Sequence, residues 1–130
     1  MTISKLSELT GLSIHTLRYY EKIGLILNVD RDAKGHRDYS DKDVIWIEFI
    51  KRLKATDMPL SEMKRFAELR TLGDATIGER VKMLEIHKAR VKDQMKALLM
   101  HQDKIQEKIE ICKKGGLDTI CGNRFSKIMS

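Results

Sequence analysis

The stretch between Gly78 and Gly115 contains neither glycine nor proline, and it constrains the fold of this 130-residue chain more than any other feature. Mostly apolar residues recur along it in alternating steps of three and four over five heptads, which places them on one face of a helix. This face, called the stripe below, consists of Val81, Leu84, Lys88, Val91, Met95, Leu98, Gln102, Ile105, Ile109 and Cys112. This period predicts one long helix. A lone helix cannot bury so narrow a stripe, so we expect residues 77–114 to pair with the same helix of a second copy.

The first 24 residues predict two short helices joined by a tight turn. Thr2 and Ser13 are suited to cap the two helices, and Gly11 and Gly24 are suited to end them. The side chains expected to be buried are Ile3, Leu6 and Leu9 in the first helix and Ile14, Leu17 and part of Tyr20 in the second. A helix, a short glycine-containing turn and a polar second helix are typical of a helix-turn-helix.

A polar hairpin and a second pair of helices follow. Residues 28–39 are poor in apolar side chains and contain Lys34-Gly35, where glycine can supply the positive φ of a turn, so we predict a small β wing. Residues 41–70 predict two more helices, the first of them opened by the capping-box spacing of Ser40 and Asp43. Their expected core residues are Ile45, Trp46, Phe49, Leu53, Met63, Phe66 and Ala67, with Trp46 and Phe49 as anchors.

The second helix carries side chains suited to a DNA groove on its outward face: His15, Thr16, Arg18, Tyr19 and Lys22. His15 and Thr16 lie near the helix N-terminus, where base edges are reached, whereas Arg18 and Tyr19 can bind phosphate. The wing adds four cationic or titratable side chains, Arg31, Lys34, His36 and Arg37, which are partly offset by Asp30, Asp32 and Asp38. The alternative for these residues alone is an ordinary solvated surface.

Composition sets the fold class but does not locate the DNA-binding surface. Charged residues make up 34% of the chain and aromatics 5%, which favours helices over a sandwich or barrel. The net charge is +6, yet residues 1–70 hold 13 basic against 11 acidic side chains, so individual cations must carry the argument. We predict a mainly α chain, with a winged helix-turn-helix DNA-binding domain at 1–76, a dimerisation coiled-coil helix at 77–114 and a C-terminal tail at 115–130.

The sequence lacks the features of membrane, secreted and catalytic proteins. No apolar run approaches the roughly 20 residues needed to cross a bilayer, and the N-terminus has no apolar secretory core. We therefore expect no membrane partner and a cytoplasmic, nucleoid-associated location, where Cys112 and Cys121 would be reduced and a structural disulfide would not form. No catalytic constellation is recognisable, so an enzyme is not predicted. His87 and His101 are expected at solvent or helix-seam positions with no ligand role.

One family matches these motifs. The run LRYYEKIGLI at residues 17–26, followed by Arg31 and by GHRDY at residues 35–39, resembles the signature of the MerR family of transcriptional regulators. The resemblance implies a winged helix-turn-helix joined through an antiparallel coiled coil into a homodimer. It also implies that Arg18 and Tyr19 contact DNA, and that Arg37 and Tyr39 give the wing its grip on the DNA backbone.

The same resemblance implies a mode of action. Family dimers bind a pseudo-palindromic promoter whose spacer is too long, and they bend and untwist it so that RNA polymerase can engage both promoter elements. The segment RDYSDKDVIWIEFIKRL, residues 37–53, is similar to the branch that responds to aldehydes and thiol stress. The reactive cysteine of that branch is absent from FIKRL, residues 49–53, so its sensing route does not carry over.

The effector is left open between several interpretations. Cys112 and Cys121 are similar in position to the cysteine pair of metal-sensing members, which implies a site for a soft ion such as Cu(I), Zn(II) or Hg(II). No third cysteine occurs near Thr76 or Ile77, and two thiols suit a linear site or a redox pair better than tetrahedral zinc. Alternatively, Cys112 is a small apolar residue of the stripe and Cys121 an incidental tail thiol. The sequence establishes no cofactor, and a soft metal ion or a small-molecule effector is left as the candidate.

Two other functions remain compatible with the sequence. A DNA-architectural protein without effector sensing would use the same helix-turn-helix and would need no sensor cysteine. A thiol or metal-binding protein would use Cys112 and Cys121 and would have no need of the DNA-binding motif. Effector-dependent transcription separates the first from a regulator, and substitution of Arg18 separates the second.

Overall fold

The computed structural model describes residues 1–115 and 120–121, and the predicted tail residues 116–119 and 122–130 lie outside the described part. The elements run in the order α1 (Ile3–Thr10), α2 (Ile14–Lys22), β1 (Asp30–Arg31), β2 (Arg37–Asp38), α3 (Asp41–Ala55), α4 (Leu60–Thr71) and α5 (Ile77–Lys113), with a short 3-10 helix at Gly73–Thr76 before α5. The predicted mainly α fold with a small wing and a long C-terminal helix is confirmed. No helix in the described ranges is long and apolar enough to span a membrane. The chain divides into two compact units, Met1–His87 and Lys88–Ser130.

Local signals in the sequence fix the helix-turn-helix. The hydroxyl of Thr2 accepts a hydrogen bond from the backbone N–H of Lys5 at 3.2 Å, and the hydroxyl of Ser13 accepts one from Thr16 at 3.0 Å. Each hydroxyl thereby satisfies a backbone donor that the first helical turn leaves free. Gly11 ends α1 in the left-handed region with φ 72°, a conformation that costs glycine little. The predicted pair of helices and its turn are confirmed.

The core of the first unit is built on α3. Ile47 and Ile50 of this helix are fully buried together with Leu6 of α1 and Leu17 of α2. Trp46 stacks on Phe66 of α4 with ring centroids 5.7 Å apart, and its indole N–H donates to the carbonyl of Leu25 at 2.8 Å. The predicted role of Trp46 as an anchor is confirmed. Phe49 is half-buried and packs against the same cluster.

Two predicted core positions are wrong because the helices are rotated from the expected faces. Ile45 is 70% exposed, since α3 turns the face of Trp46, Ile47 and Ile50 inward. Leu9 is exposed, and Thr10 takes the inward place one turn after Leu6. The Thr10 hydroxyl donates to the carbonyl oxygen of Leu6 at 2.8 Å, which satisfies its polar group inside the core.

The expectation that His87 faces solvent or a helix seam is also wrong. His87 is buried, and it is the only buried residue of α5 in the part of the chain that the structure describes. The hydroxyl of Thr56 lies 2.9 Å from the carbonyl oxygen of Arg52 and shares a hydrogen bond with His87 Nε2 at 2.8 Å. His87 Nδ1 has no hydrogen-bond partner among the described residues. The contact joins the end of α3 to the first part of α5 within the first unit.

The wing is a two-stranded antiparallel hairpin. Asp30 pairs with Asp38 and Arg31 with Arg37. The carboxylate of Asp32 accepts hydrogen bonds at 2.9 Å from the backbone N–H groups of Lys34 and His36, which closes the turn. These hydrogen bonds hold the turn, and all four strand residues are exposed.

A matched pair of substitutions in α1 tests the core assignment. Leu6 is fully buried and Leu9 is 49% exposed, although both are leucines of the same helix. We expect Leu6→Ala to lower the free energy of unfolding by about 2–5 kcal/mol and Leu9→Ala to lower it by less than about 1 kcal/mol. Urea unfolding at one fixed protein concentration measures both. Equal losses for the two variants would contradict the placement of α1.

Candidate nucleic-acid interface

A cleft of about 890 Å³ lies between α2 and the wing. Its cationic side chains come from both elements: Arg18 and Lys22 from α2 and Arg31 and Arg37 from the wing. His36 also lines it. Residues far apart in the sequence therefore meet around one space, which is suited to binding a polyanion.

The geometry of α2 follows from its buried positions. Leu17 and Tyr20 face the core, and Lys54 Nζ approaches the Tyr20 hydroxyl at 3.2 Å and lies over its ring. Arg18 and Tyr19 are consequently turned outward. Tyr20, expected to be partly buried, belongs wholly to the core. Arg18 lines the cleft, whereas Tyr19 does not.

His15 and Thr16 lie in the first turn of α2, outside the cleft lining. His15 is exposed. Thr16 is partly buried, and its hydroxyl accepts a hydrogen bond from the hydroxyl of Ser13 at 2.9 Å. Both side chains remain predictions as readers of base edges, at a helix N-terminus that suits that role.

The wing arginines are held by different partners. Arg31 Nη1 donates to the carbonyl of Gly35 at 2.7 Å, so its guanidinium folds back over the hairpin. Arg37 Nε forms an ion pair with Glu21 Oε2 of α2 at 2.5 Å, while half of the Arg37 side chain stays exposed. The wing is thus tied to α2 by a charged contact.

Glu21 is the residue that sequence reasoning missed. Its second oxygen, Oε1, accepts a short hydrogen bond from the hydroxyl of Tyr39, and only 14% of the Glu21 side chain is exposed. A signal was present in the sequence: Glu21 follows Arg18 by three residues and so shares its helix face. Glu21 is thus an acidic side chain among the cationic side chains that line the cleft.

Tyr39 differs from its expected place on an exposed wing. It is 3% exposed and belongs to the core, since its ring enters the apolar cluster beneath the hairpin. Burial, the hydrogen bond to Glu21 and the charge of Glu21 all raise the pKa of Tyr39, and Arg37 opposes them weakly. The Tyr39 hydroxyl therefore stays protonated and gives its single proton to Glu21. Tyr39 lines the same cleft as Arg37, and its contact with the DNA backbone stays a prediction.

The two cysteines lie in the second unit. Cys112, in the last turn of α5, is joined to Cys121 by a disulfide with Cα atoms 5.2 Å apart. The expectation that both would be free thiols is wrong for this structure, because Cys121 lies directly beside the last turn of α5. A groove of about 690 Å³ next to them is lined by Ile105, Ile109 and Ile120. In the described ranges no group of three or more His, Cys, Asp or Glu side chains could hold a metal ion.

Comparisons with known proteins agree with this architecture. The model of the MerR HTH family of regulatory proteins matches residues 1–69, and a second MerR model, described as DNA binding, matches residues 44–108. An uncharacterized HTH-type transcriptional regulator from Haemophilus influenzae is 41% identical over 113 residues, which cover 87% of this chain and 84% of that protein. The HTH-type transcriptional regulator YyaN of Bacillus subtilis is 34% identical over 98% of this chain and 87% of its own length.

A solved structure shows the same likeness. HiNmlR, a MerR family regulator lacking the sensor domain and crystallised bound to promoter DNA, superimposes with a TM-score of 0.78 and 40% identity, covering 88% of this chain and 90% of its own. The family expected from the signature at residues 17–39 is confirmed. The chain belongs to the MerR family of helix-turn-helix transcriptional regulators.

Proposed function

We propose that two copies of this chain bind a pseudo-palindromic promoter as a homodimer and distort it so that RNA polymerase can use it. The observation that carries this proposal is the common cleft in which Arg18 of α2 faces Arg31 and Arg37 of the wing. A DNA backbone lying there meets three guanidinium groups, each able to bind a phosphate. The binding of HiNmlR to promoter DNA supports the assignment through shared fold and family.

Within this proposal the predicted site residues have three roles: contact with the groove, contact with the DNA backbone, and support from the core. Arg18 and Tyr19 reach out from the middle of α2, and His15 and Thr16 lie at its first turn, close to base edges in a major groove. Arg31 and Arg37 bind the backbone beside that groove. Tyr39 acts from the core, since its ring is buried and its hydroxyl donates to Glu21.

The homodimer is proposed from the uncovered stripe of α5. Val81, Met95, Leu98, Ile105 and Ile109 are all exposed in the single chain, although they recur at heptad spacing. Pairing with a second α5 removes these side chains from water and brings two recognition helices to two half-sites. The summed phosphate contacts of both copies supply the free energy for bending the duplex.

A promoter-binding homodimer of this kind acts as a transcriptional regulator and not as an enzyme. The relatives described above are transcriptional regulators, and a promoter-binding dimer acts on DNA in the cytoplasm at the nucleoid. An architectural protein without sensing is the competing function, and transcription that changes with an effector at constant promoter occupancy excludes it.

Effector sensing by Cys112 and Cys121 is a second candidate function. The observation that favours it is their direct pairing at the end of α5. Two adjacent sulfurs can bind a soft ion in linear geometry or interconvert between dithiol and disulfide.

Substitution of Arg18 tests promoter binding. We expect Arg18→Ala to weaken binding to a promoter fragment by about 1–3 kcal/mol without unfolding the protein, because one guanidinium contact is lost. Arg52→Ala is the matched control, since Arg52 is an exposed arginine of α3 that does not line the cleft. Fluorescence anisotropy at fixed salt measures both. Unchanged affinity in Arg18→Ala would refute the assignment of α2 as the recognition helix.

The oligomeric state tests the stripe. Leu98 is 67% exposed on the stripe, and Met100 is exposed elsewhere on the same helix. We expect the wild-type chain to sediment at twice its 15.1 kDa mass, Leu98→Glu to shift towards monomer, and Met100→Glu to remain dimeric, because only the first places a charge in the seam. A dimeric Leu98→Glu protein or a monomeric wild type would contradict the coiled coil.

A transcription assay tests the cysteine pair. With reduced protein on a promoter held at saturation, we expect Cu(I) or a disulfide oxidant to change transcript yield and Cys121→Ser to abolish that change, since one sulfur cannot complete either site. An identical response in Cys121→Ser would remove this pair as the sensor.

A further inference from the structure

Glu21 presents a conflict of charge in the proposed DNA-binding surface. It is the only acidic side chain in the described lining of the cleft, where its neighbours include Arg18, Lys22 and Arg37. A carboxylate close to DNA phosphates repels them, so charge alone predicts that Glu21 weakens DNA binding. Its geometry points to a different role.

Each oxygen of the Glu21 carboxylate has a separate partner. Oε1 accepts the proton of the Tyr39 hydroxyl, and Oε2 pairs with Arg37 Nε at 2.5 Å. Tyr39 is buried, so the carboxylate is fixed to a rigid part of the core. The three side chains therefore form a chain of contacts from the core, through α2, to an arginine on the wing.

The contact uses one edge of the Arg37 guanidinium. Nε faces Glu21, whereas half of the side chain remains exposed and lines the cleft. A guanidinium carries five N–H donors in a planar fork, so pairing at Nε leaves the terminal nitrogens to bind another anion. The wing has no buried strand residue of its own to fix this orientation.

We propose that Glu21 is a positioning residue for DNA binding, which holds the Arg37 guanidinium so that its terminal nitrogens face a backbone phosphate. This inference rests on the proposed promoter binding and names a residue that serves it without touching DNA. Holding a long side chain in its bound orientation removes the ordering cost that a free arginine would meet on binding. The gain from orientation outweighs the repulsion of a carboxylate whose charge Arg37 already offsets.

Glu21→Gln distinguishes positioning of Arg37 from simple charge repulsion, because the two predict opposite changes in DNA affinity. Glu21→Gln keeps the size of the side chain and an oxygen for Tyr39, but it removes the charge and one acceptor. We expect it to weaken binding to a promoter fragment about three- to tenfold, in line with the cost of ordering one long side chain. Simple charge repulsion predicts tighter binding instead. Glu68→Gln, which removes a mostly exposed carboxylate of α4 paired with Arg65, is the control and should not weaken binding.

A double-mutant cycle assigns the loss to Arg37. We expect Glu21→Gln to have no further effect in an Arg37→Ala background, because Glu21 acts through that side chain. Arg37→Ala should lower the slope of log affinity against log salt by about one, since one phosphate contact is lost, whereas Glu21→Gln keeps the cation and should leave the slope close to that of the wild type. A merely structural role for Glu21 would lower the melting temperature and would weaken binding in the Arg37→Ala background as well.

A second variant approaches the contact from the other side. Arg37→Lys keeps the charge of the wing but has no planar fork to divide between a carboxylate and a phosphate. We expect Arg37→Lys to weaken binding to the promoter fragment nearly as much as Arg37→Ala. Circular dichroism and thermal melting serve as controls for the folding of each variant.

The outcomes separate the two proposals. Binding by wild type with equal or tighter binding by Glu21→Gln, or additive losses in the double variant, overturns the role of Glu21 and leaves promoter binding intact. Absence of specific binding by the wild-type chain overturns the proposed function, and the positioning role fails with it. A loss in Glu21→Gln that disappears in the Arg37→Ala background supports both.

Discussion

The burial of Leu17 and Tyr20 in the core of the first unit is the interaction on which the proposed interface depends. These two side chains fix the rotation of α2 about its axis, and the residues between and beside them, above all Arg18 and Tyr19, are turned outward as a result. A rotation of α2 by one residue position would exchange an inward leucine for an outward arginine. The chemistry of the surface is therefore set by apolar packing beneath it.

The wing depends on the same core through fewer contacts. Its two short strands have only exposed side chains, so the hairpin needs an external tie. Tyr39 supplies it at the end of β2, since its ring is buried and its hydroxyl reaches Glu21 of α2. Arg37 adds a charged contact to the same carboxylate. In this structure α2 and the wing are thus joined at Glu21, and in the proposed complex this contact lets both act on a single DNA backbone.

Much of the architecture could be predicted from the sequence because it depends on residues that are close together in the chain. Thr2, Ser13 and Gly11 fix the ends of two helices through caps and a left-handed turn. The heptad stripe predicted α5 over 77–114, close to its observed Ile77–Lys113. Helix caps, the left-handed turn and the heptad period each involve residues within one or two helical turns of each other, so the sequence alone is sufficient to recognise them.

The errors arise where a side chain meets a partner distant in the sequence. Ile45 and Ile47 are equally apolar, and only the packing of α3 decides which is buried. His87 enters the core because Thr56, 31 residues earlier, offers it a hydrogen bond. Glu21 and Tyr39 are separated by 18 residues, and the cysteine pair by nine. Periodicity and motif spacing carry no information on such pairs, which depend on tertiary structure.

Promoter recognition is tested most directly by comparing the affinity of the wild-type chain for a promoter fragment carrying an overlong spacer with its affinity for the same fragment with scrambled half-sites. The comparison is made at physiological salt and with excess competitor DNA, so that charge-driven binding is suppressed. A promoter-specific dimer should bind the intact fragment about a thousandfold or more tightly and protect two symmetric half-sites from cleavage. Equal affinity for both fragments would contradict sequence-specific recognition and leave only non-specific binding of a basic protein.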